Sequence, residues 1–186
     1  TIKWKKGCPN AGDDTGCSDG FSQIGQTWSE PKVVKVTGYP SISATEKAPL
    51  IIMGGGYDTC EDQDAALNTA CTAPKGNRIV VLNAATGAVL QTLNTDRSVP
   101  ADVTVVDSDL DGYVDVAYAV DTGANVYRID IGSNVPSGWT ISKIASLGCT
   151  STSSASCARK FLHAPEVVSR SSFNAVLVGS GNRERP

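Results

Sequence analysis

Asp107-Ser-Asp-Leu-Asp-Gly-Tyr-Val-Asp115 follows Val103-Thr-Val-Val106 and runs into Val116-Ala-Tyr-Ala-Val120. The flanks are short, alternating and rich in β-branched residues, so the acidic stretch joins two strands. Its aspartates stand at positions 1, 3, 5 and 9 of the nine. Calcium is a hard cation that takes about 6–8 oxygens at roughly 2.3–2.6 Å, and a tight turn can aim alternate carboxylates at one centre. The expected ligands are Asp107, Asp109, Asp111, the Tyr113 carbonyl and Asp115, with Gly112 supplying the reversal. An EF-hand opens in the same way but needs a bidentate glutamate at its twelfth position and a helix on each side. Tyr118 occupies that position here. The segment therefore reads as a strand-loop-strand calcium site, and the chain around it as all-β. The bland alternative is an Asx-rich turn with solvated carboxylates. Magnesium fits less well, because it demands near-octahedral geometry and keeps its waters.

Outward from this loop, strand signals dominate: Val33-Val-Lys-Val36, Leu50-Ile-Ile-Met53, Arg78-Ile-Val-Val-Leu82, Ala88-Val-Leu-Gln-Thr-Leu93, Asn125-Val-Tyr-Arg-Ile-Asp-Ile131 and Ala175-Val-Leu-Val178. Ala84-Ala-Thr-Gly87 and Asp121-Thr-Gly123 read as tight connections, with the glycines placed for positive φ. Only Gln63 to Thr72 has mild helical character. A proline followed by a strand recurs at Pro31, Pro100 and Pro165, each time with a second strand after a variable loop. Four antiparallel strands per unit, at a spacing of about 65–70 residues, predict propeller blades with long insertions. The divisions are a first blade with disulfide loops over 1–99, a calcium-loop blade over 100–160, and the start of a third over 161–186. A β-sandwich is the competing architecture.

Six cysteines form three local pairs, Cys8 with Cys17, Cys60 with Cys71 and Cys149 with Cys157, each bracketing a polar stretch. Other pairings are combinatorially open. A zinc site is disfavoured, because C-x₂-C spacing is absent and His163 is the single histidine. Disulfides imply an oxidising compartment. The chain has 186 residues with 16 basic and 19 acidic side chains, a net charge of −3. That mixture lacks the clustered basic face nucleic acid requires. No apolar run approaches the roughly 20 residues of a membrane span, and Thr1-Ile-Lys-Trp4 is no signal peptide. The chain is expected to be a piece of a longer, exported protein.

Gly54-Gly-Gly-Tyr-Asp58 lacks the Lys-Ser/Thr and following helix of a phosphate loop, and reads instead as a strand end where backbones approach closely. His163 is expected to be structural, with Ser169 and Ser171 ordinary loop serines. Asp96-Arg97 and Arg183-Glu-Arg185 are expected to form surface or inter-blade ion pairs.

Several motifs, in order, resemble the C-terminal propeller domain of type IV pilus tip adhesins of the PilC/PilY type. They are Gly25-Gln-Thr-Trp-Ser-Glu-Pro31, Gly54-Gly-Gly-Tyr-Asp-Thr-Cys60, Lys75-Gly-Asn-Arg-Ile-Val-Val-Leu-Asn-Ala-Ala-Thr-Gly87, Ser98-Val-Pro-Ala-Asp-Val103, the acidic loop with Tyr118-Ala-Val-Asp-Thr-Gly-Ala-Asn-Val-Tyr-Arg-Ile-Asp130, and Val178-Gly-Ser-Gly-Asn-Arg-Glu184. The resemblance implies a modified quinoprotein-like β-propeller without enzymatic activity. It implies export through the periplasm and outer membrane to the cell surface, with minor pilins as partners at the pilus tip. Host-cell or abiotic surfaces would be contacted through regions outside this chain. In that family the calcium loop is implicated in pilus extension against retraction, and the pattern carries the ligand role onto Asp107, Asp109, Asp111, Tyr113 and Asp115. Two other functions share some features: an integrin-like calcium-propeller binding module, and a quinone-cofactor dehydrogenase, whose blades carry turns like Asn83-Ala-Ala-Thr-Gly87. The dehydrogenase lacks support from adjacent cysteines or a basic cluster.

Overall fold

The computed structural model describes residues 2–43, 46–62, 71–132, 135–148, 159–170 and 172–181. The helical expectation at Gln63 to Thr72 falls almost wholly outside these residues, as do Cys149, Cys157, Ser171 and Arg183 to Arg185.

The alternating runs form strands because apolar side chains two apart must reach the same face. β1 (Lys32–Val34), β4 (Leu50–Gly54), β5 (Arg78–Asn83) and β6 (Val89–Asn94) make one antiparallel sheet in the order β1-β4-β5-β6. A hairpin of β2 (Ser41–Ser43) and β3 (Glu46–Lys47) is inserted between the first two of these strands. β7 (Thr104–Val106), β8 (Val116–Val120), β9 (Asn125–Asp130) and β10 (Thr140–Ser146) make a second four-stranded meander. β11 (Glu166–Arg170) and β12 (Phe173–Leu177) pair as a hairpin. Among the described residues there is no α-helix, only 3-10 turns at Thr59–Glu61 and Pro136–Gly138.

Period-two alternation explains how the layers stack. In the first sheet, Leu50, Ile52, Ile79 and Val81 face the second sheet and meet Ala117, Ala119 and Ile129, with Trp139 in the same cluster. The intervening Met53, Val80 and Leu82 point the other way, onto Phe21 and Ile24 of the N-terminal segment. The second sheet repeats the device. Val106, Val116 and Tyr118 turn away from the first sheet and receive Val167 and Val176 of the β11-β12 hairpin. Every residue of β8 is buried. A strand buried on both faces reads as a continuous apolar run, as Val116-Ala-Tyr-Ala-Val120 does. The small Ala117 and Ala119 leave room for the branched side chains opposite; close packing of this kind makes truncation of a fully buried isoleucine such as Ile52 cost about 2–5 kcal/mol.

Backbone approach is tight at Gly54-Gly-Gly56. A Cβ on Gly54 would lie 2.5 Å from the Val99 carbonyl oxygen, and one on Gly56 2.7 Å from the Gln26 carbonyl. The two hairpin glycines differ. Gly87 takes φ 69°, but in the second hairpin the positive φ falls on Ala124, at 59°. Gly123 is needed for space, since a Cβ there would meet Arg97 Cγ at 2.8 Å and Asn125 Nδ2 at 3.0 Å.

Candidate metal site

β7 and β8 pair in register from Thr104↔Tyr118 to Val106↔Val116, which brings the two ends of the acidic loop together. The Asp115 N–H donates to the Val106 carbonyl (3.0 Å), closing the ladder. Between these ends the chain turns through Leu110, at φ 63°, and Gly112, at φ 90°. Left-handed backbone is easy for glycine and costly for leucine. Leu110 remains 87% exposed, so its side chain contributes no core packing in return.

Backbone donors hold the carboxylates in place. The Gly112 N–H donates to Asp107 Oδ2 (2.8 Å) and the Tyr113 N–H to Asp111 Oδ1 (2.8 Å). The Asp111 N–H is shared between Asp107 Oδ1 and Asp109 Oδ1, at 3.2 Å each. One oxygen each from Asp107, Asp109 and Asp111 lies within 4.8 Å of the others. Two oxygens on one calcium at about 2.4 Å stand at most about 4.8 Å apart, so the spacing is compatible with a shared ion. The donor set, hard carboxylate oxygen without nitrogen or sulfur, also suits that ion.

Asp115 stands differently. Asp115 is outside the three-carboxylate cluster; its Oδ2 accepts the Ser108 N–H at 2.7 Å. Its carbonyl accepts the Ile131 and Gly132 N–H groups (both 3.1 Å), and the neighbouring Val114 N–H donates to the Lys35 carbonyl (2.9 Å). The loop is thus tied to the segment after β1 and to the segment after β9. The Asp109 carboxyl is shifted above its ordinary value. The Asp111 N–H pulls it down, but lost hydration and the charges of Asp111, Asp115 and Asp107 together push it higher.

The opposite end of the sheets holds two buried acidic groups that are not apparent in the sequence. Asp121, at the β8-β9 turn, is fully buried. Its Oδ1 accepts from the N–H groups of Gly123 (2.9 Å) and Asn125 (3.0 Å), and Oδ2 from the Arg97 N–H (3.1 Å) and the Tyr127 hydroxyl (2.8 Å). The Asn125 amide donates to both oxygens. Glu61, 7% exposed, accepts from the Ser98 and Thr122 hydroxyls, both at 2.9 Å. Lys160 Nζ donates to the Tyr57 hydroxyl (2.8 Å) and to the Glu61 carbonyl (3.2 Å). Burial raises the Glu61 carboxyl, against the Thr122 and Ser98 hydrogen bonds and the charges of Lys160 and Arg97.

Cys8–Cys17 and Cys60–Cys71 are disulfides, and their thiolates are not free for a metal. The third expected pair, Cys149 with Cys157, lies outside the described residues. Asp96 forms its ion pair with Lys143 of β10, at 2.5 Å. His163 is exposed on the approach to β11. No helix of the described residues is long and apolar enough to cross a membrane.

Neither the family models nor the curated proteins yield a match to this chain. Among solved structures, it is similar to the PilY1 C-terminal domain of Pseudomonas aeruginosa, with a TM-score of 0.58 and 22% sequence identity. The match covers 84% of this chain and 32% of that one, so the chain spans about a third of the structure it resembles. The likeness is one of architecture: successive four-stranded antiparallel sheets in the manner of that β-propeller-like domain.

Proposed function

We propose that the chain is a calcium-binding, non-enzymatic part of a type IV pilus tip or biogenesis protein. In this reading it supports pilus assembly, control of extension against retraction, and surface adhesion, with minor pilins as neighbours. One observation carries the proposal: three convergent carboxylates in a strand-loop-strand turn, set within a fold shared with a PilY1 C-terminal domain. Asp107, Asp109 and Asp111 would hold the ion, with Asp115 and the Tyr113 carbonyl completing the shell. The ion would neutralise carboxylates that otherwise repel. The ties from Val114 to Lys35 and from Asp115 to Ile131 and Gly132 would pass any change in loop order to both sheets. The disulfides suit the oxidising compartment an exported protein meets.

The test compares piliation and twitching motility in cells carrying the wild-type loop and Asp115→Ala. Loss or gain of surface pili at equal protein level supports the reading. Unchanged piliation, with calcium binding reduced, removes the regulatory role and leaves the metal site. An integrin-like calcium-propeller module without a pilus role shares the loop position between the first two strands of a sheet; failure of minor pilins to copurify would favour it. The Asn83 turn, a sequence feature shared with quinone-dependent dehydrogenases, has a structural task here: Asn83 Oδ1 accepts the Ala85 and Thr86 N–H groups.

A further inference from the structure

The chain holds two Asp-Gly steps, Asp19-Gly20 and Asp111-Gly112, and no Asn-Gly step. An aspartate followed by glycine is open to attack by the next backbone nitrogen on its own side-chain carboxyl carbon, because no Cβ on the second residue shields that nitrogen. The structure treats the two steps differently. Asp19-Gly20 is held on both sides. Cys17 is bridged to Cys8, the Phe21 N–H donates to the Ser18 carbonyl at 2.9 Å, and Phe21 is buried. Gly20 is also pressed against Val89, whose Cγ2 would lie 2.5 Å from an added Cβ.

Asp111-Gly112 lies instead at the exposed crest of the acidic turn. A Cβ on Gly112 would meet nothing within 4 Å, and the preceding Leu110 packs on no core. Two hydrogen bonds restrain the atoms that would react. The Gly112 N–H is donated to Asp107 Oδ2 at 2.8 Å, and Asp111 Oδ1 accepts the Tyr113 N–H at 2.8 Å. Both bonds are exposed to solvent. Segments held by such bonds, with few buried apolar contacts, open locally far more readily than a core does. Opening here frees the nitrogen of Gly112 and the carboxyl of Asp111 together.

We propose that Asp111-Gly112 is a self-modification site that isomerises to isoaspartate, with Asp107 as the gate that withholds the Gly112 nitrogen. That nitrogen attacks Asp111 Cγ. The N–Cγ bond forms, a Cγ–O bond breaks, and the oxygen leaves as water with the N–H proton and one proton from solvent. Water then adds at the Asp111 main-chain carbonyl carbon and breaks its bond to the Gly112 nitrogen, returning the proton to solvent. No atom or electron is gained or lost overall. The main chain now runs through Cβ and Cγ, one methylene longer, with the free carboxylate on Cα. The consequence for calcium rests on the metal reading above: one of the three convergent carboxylates leaves its place. A bound ion would hold the loop closed, so the site would age chiefly while empty.

The test incubates the intact, oxidised chain in calcium-free buffer at physiological pH and temperature. Peptide mapping by mass spectrometry then follows isoaspartate at Asp111 and at Asp19. It should accumulate several-fold faster at Asp111. Asp107→Ala leaves the Gly112 N–H without its acceptor and should speed Asp111 several-fold further, with Asp19 unchanged as the internal sign that the chain is still folded. Asp107→Asn keeps a carbonyl acceptor and should stay close to wild type. Calcium at about 100 times its Kd should slow the wild type by up to about 100-fold, if only the open loop reacts. The proposal is overturned if Asp111 isomerises no faster than Asp19, if Asp107→Ala leaves the Asp111 rate unchanged, or if it raises both sites together. Should calorimetry find no calcium bound, the metal reading falls, and the calcium-free comparison still upholds or overturns this one.

Discussion

Replacing Asp121 with asparagine keeps the shape of a fully buried side chain and removes one acceptor. All the groups around its two oxygens are donors: the backbone N–H groups of Arg97, Gly123 and Asn125, the Asn125 amide and the Tyr127 hydroxyl. Burial first, and the nearby Asp121 and Asp96 charges after it, push the Tyr127 phenol well above its ordinary range in spite of the Asp96 N–H. It therefore remains a donor at any working pH. An asparagine amide does least harm on the Oδ2 side, where the Tyr127 hydroxyl can turn and accept. The Arg97 N–H then faces another N–H with nothing to receive it. An unsatisfied donor costs about 1–3 kcal/mol, and the remaining bonds lose the charge that strengthened them. We expect a loss of about 3 kcal/mol, or about 6–12 °C in Tm for a chain of this size. Urea unfolding at fixed calcium, with wild type alongside, measures it. An Asp121→Asn variant within about 1 kcal/mol of wild type would show that the carboxylate is not the organising centre of this turn.

Asp111→Ala should abolish calcium binding in calorimetry and flatten the dependence of Tm on calcium. With a Kd of about 10 μM, about 1 mM calcium would stabilise the wild type by about 2.7 kcal/mol; an unchanged titration and melt would sink the metal assignment. Glu61 has a folded-state pKa raised above the ordinary 4.5, so between the two values the folded chain holds more protons. Its contribution is full below about 4.5 and is lost as pH rises through the folded pKa. Glu61→Gln keeps acceptors for Ser98 and Thr122 and should gain stability relative to wild type across that window; a difference curve that is flat with pH contradicts this. The Cys60–Cys71 bridge spans a separation of 11, and removing it as a double serine variant should cost about 2.5–3 kcal/mol on the chain-entropy model. Equal denaturation midpoints for oxidised wild type and the double variant would refute that.

The strands that the sequence reveals most clearly are those whose residues face a core on both sides or alternately. Arg78–Asn83 and Val116–Val120 emerge within a residue or two of the expected ranges. The β2-β3 hairpin escapes a sequence reading because Ser41-Ile-Ser and Glu46-Lys offer no apolar alternation. The acidic loop is legible because its carboxylates are close in sequence, and local spacing alone brings three of them together. Glu61, Ser98, Thr122 and Lys160 come from four separate connections, so no local pattern could announce them. Asp121 reads as a turn former. That it gathers donors from residues 97 to 127 depends on the sheet that returns the chain. Trp28 enters the sequence reading only as part of the Gly25–Pro31 motif; its stack on Tyr57 depends on the bridge that pairs Gln26 with Tyr57.

Sheets packed on both faces also limit how this chain can drift over evolutionary time. In β8 no side chain points to solvent, so almost any polar replacement there is selected against, and only exchanges among small and branched apolar residues pass. Neutral change is pushed into the connections: the β2-β3 insertion, the disulfide loops and the rim of the acidic turn. Two such chains can therefore share a stack of sheets while agreeing at few positions, as the 22% identity at a TM-score of 0.58 illustrates. New binding properties would arise in those connections, because there a mutation meets the least resistance from the layers beneath.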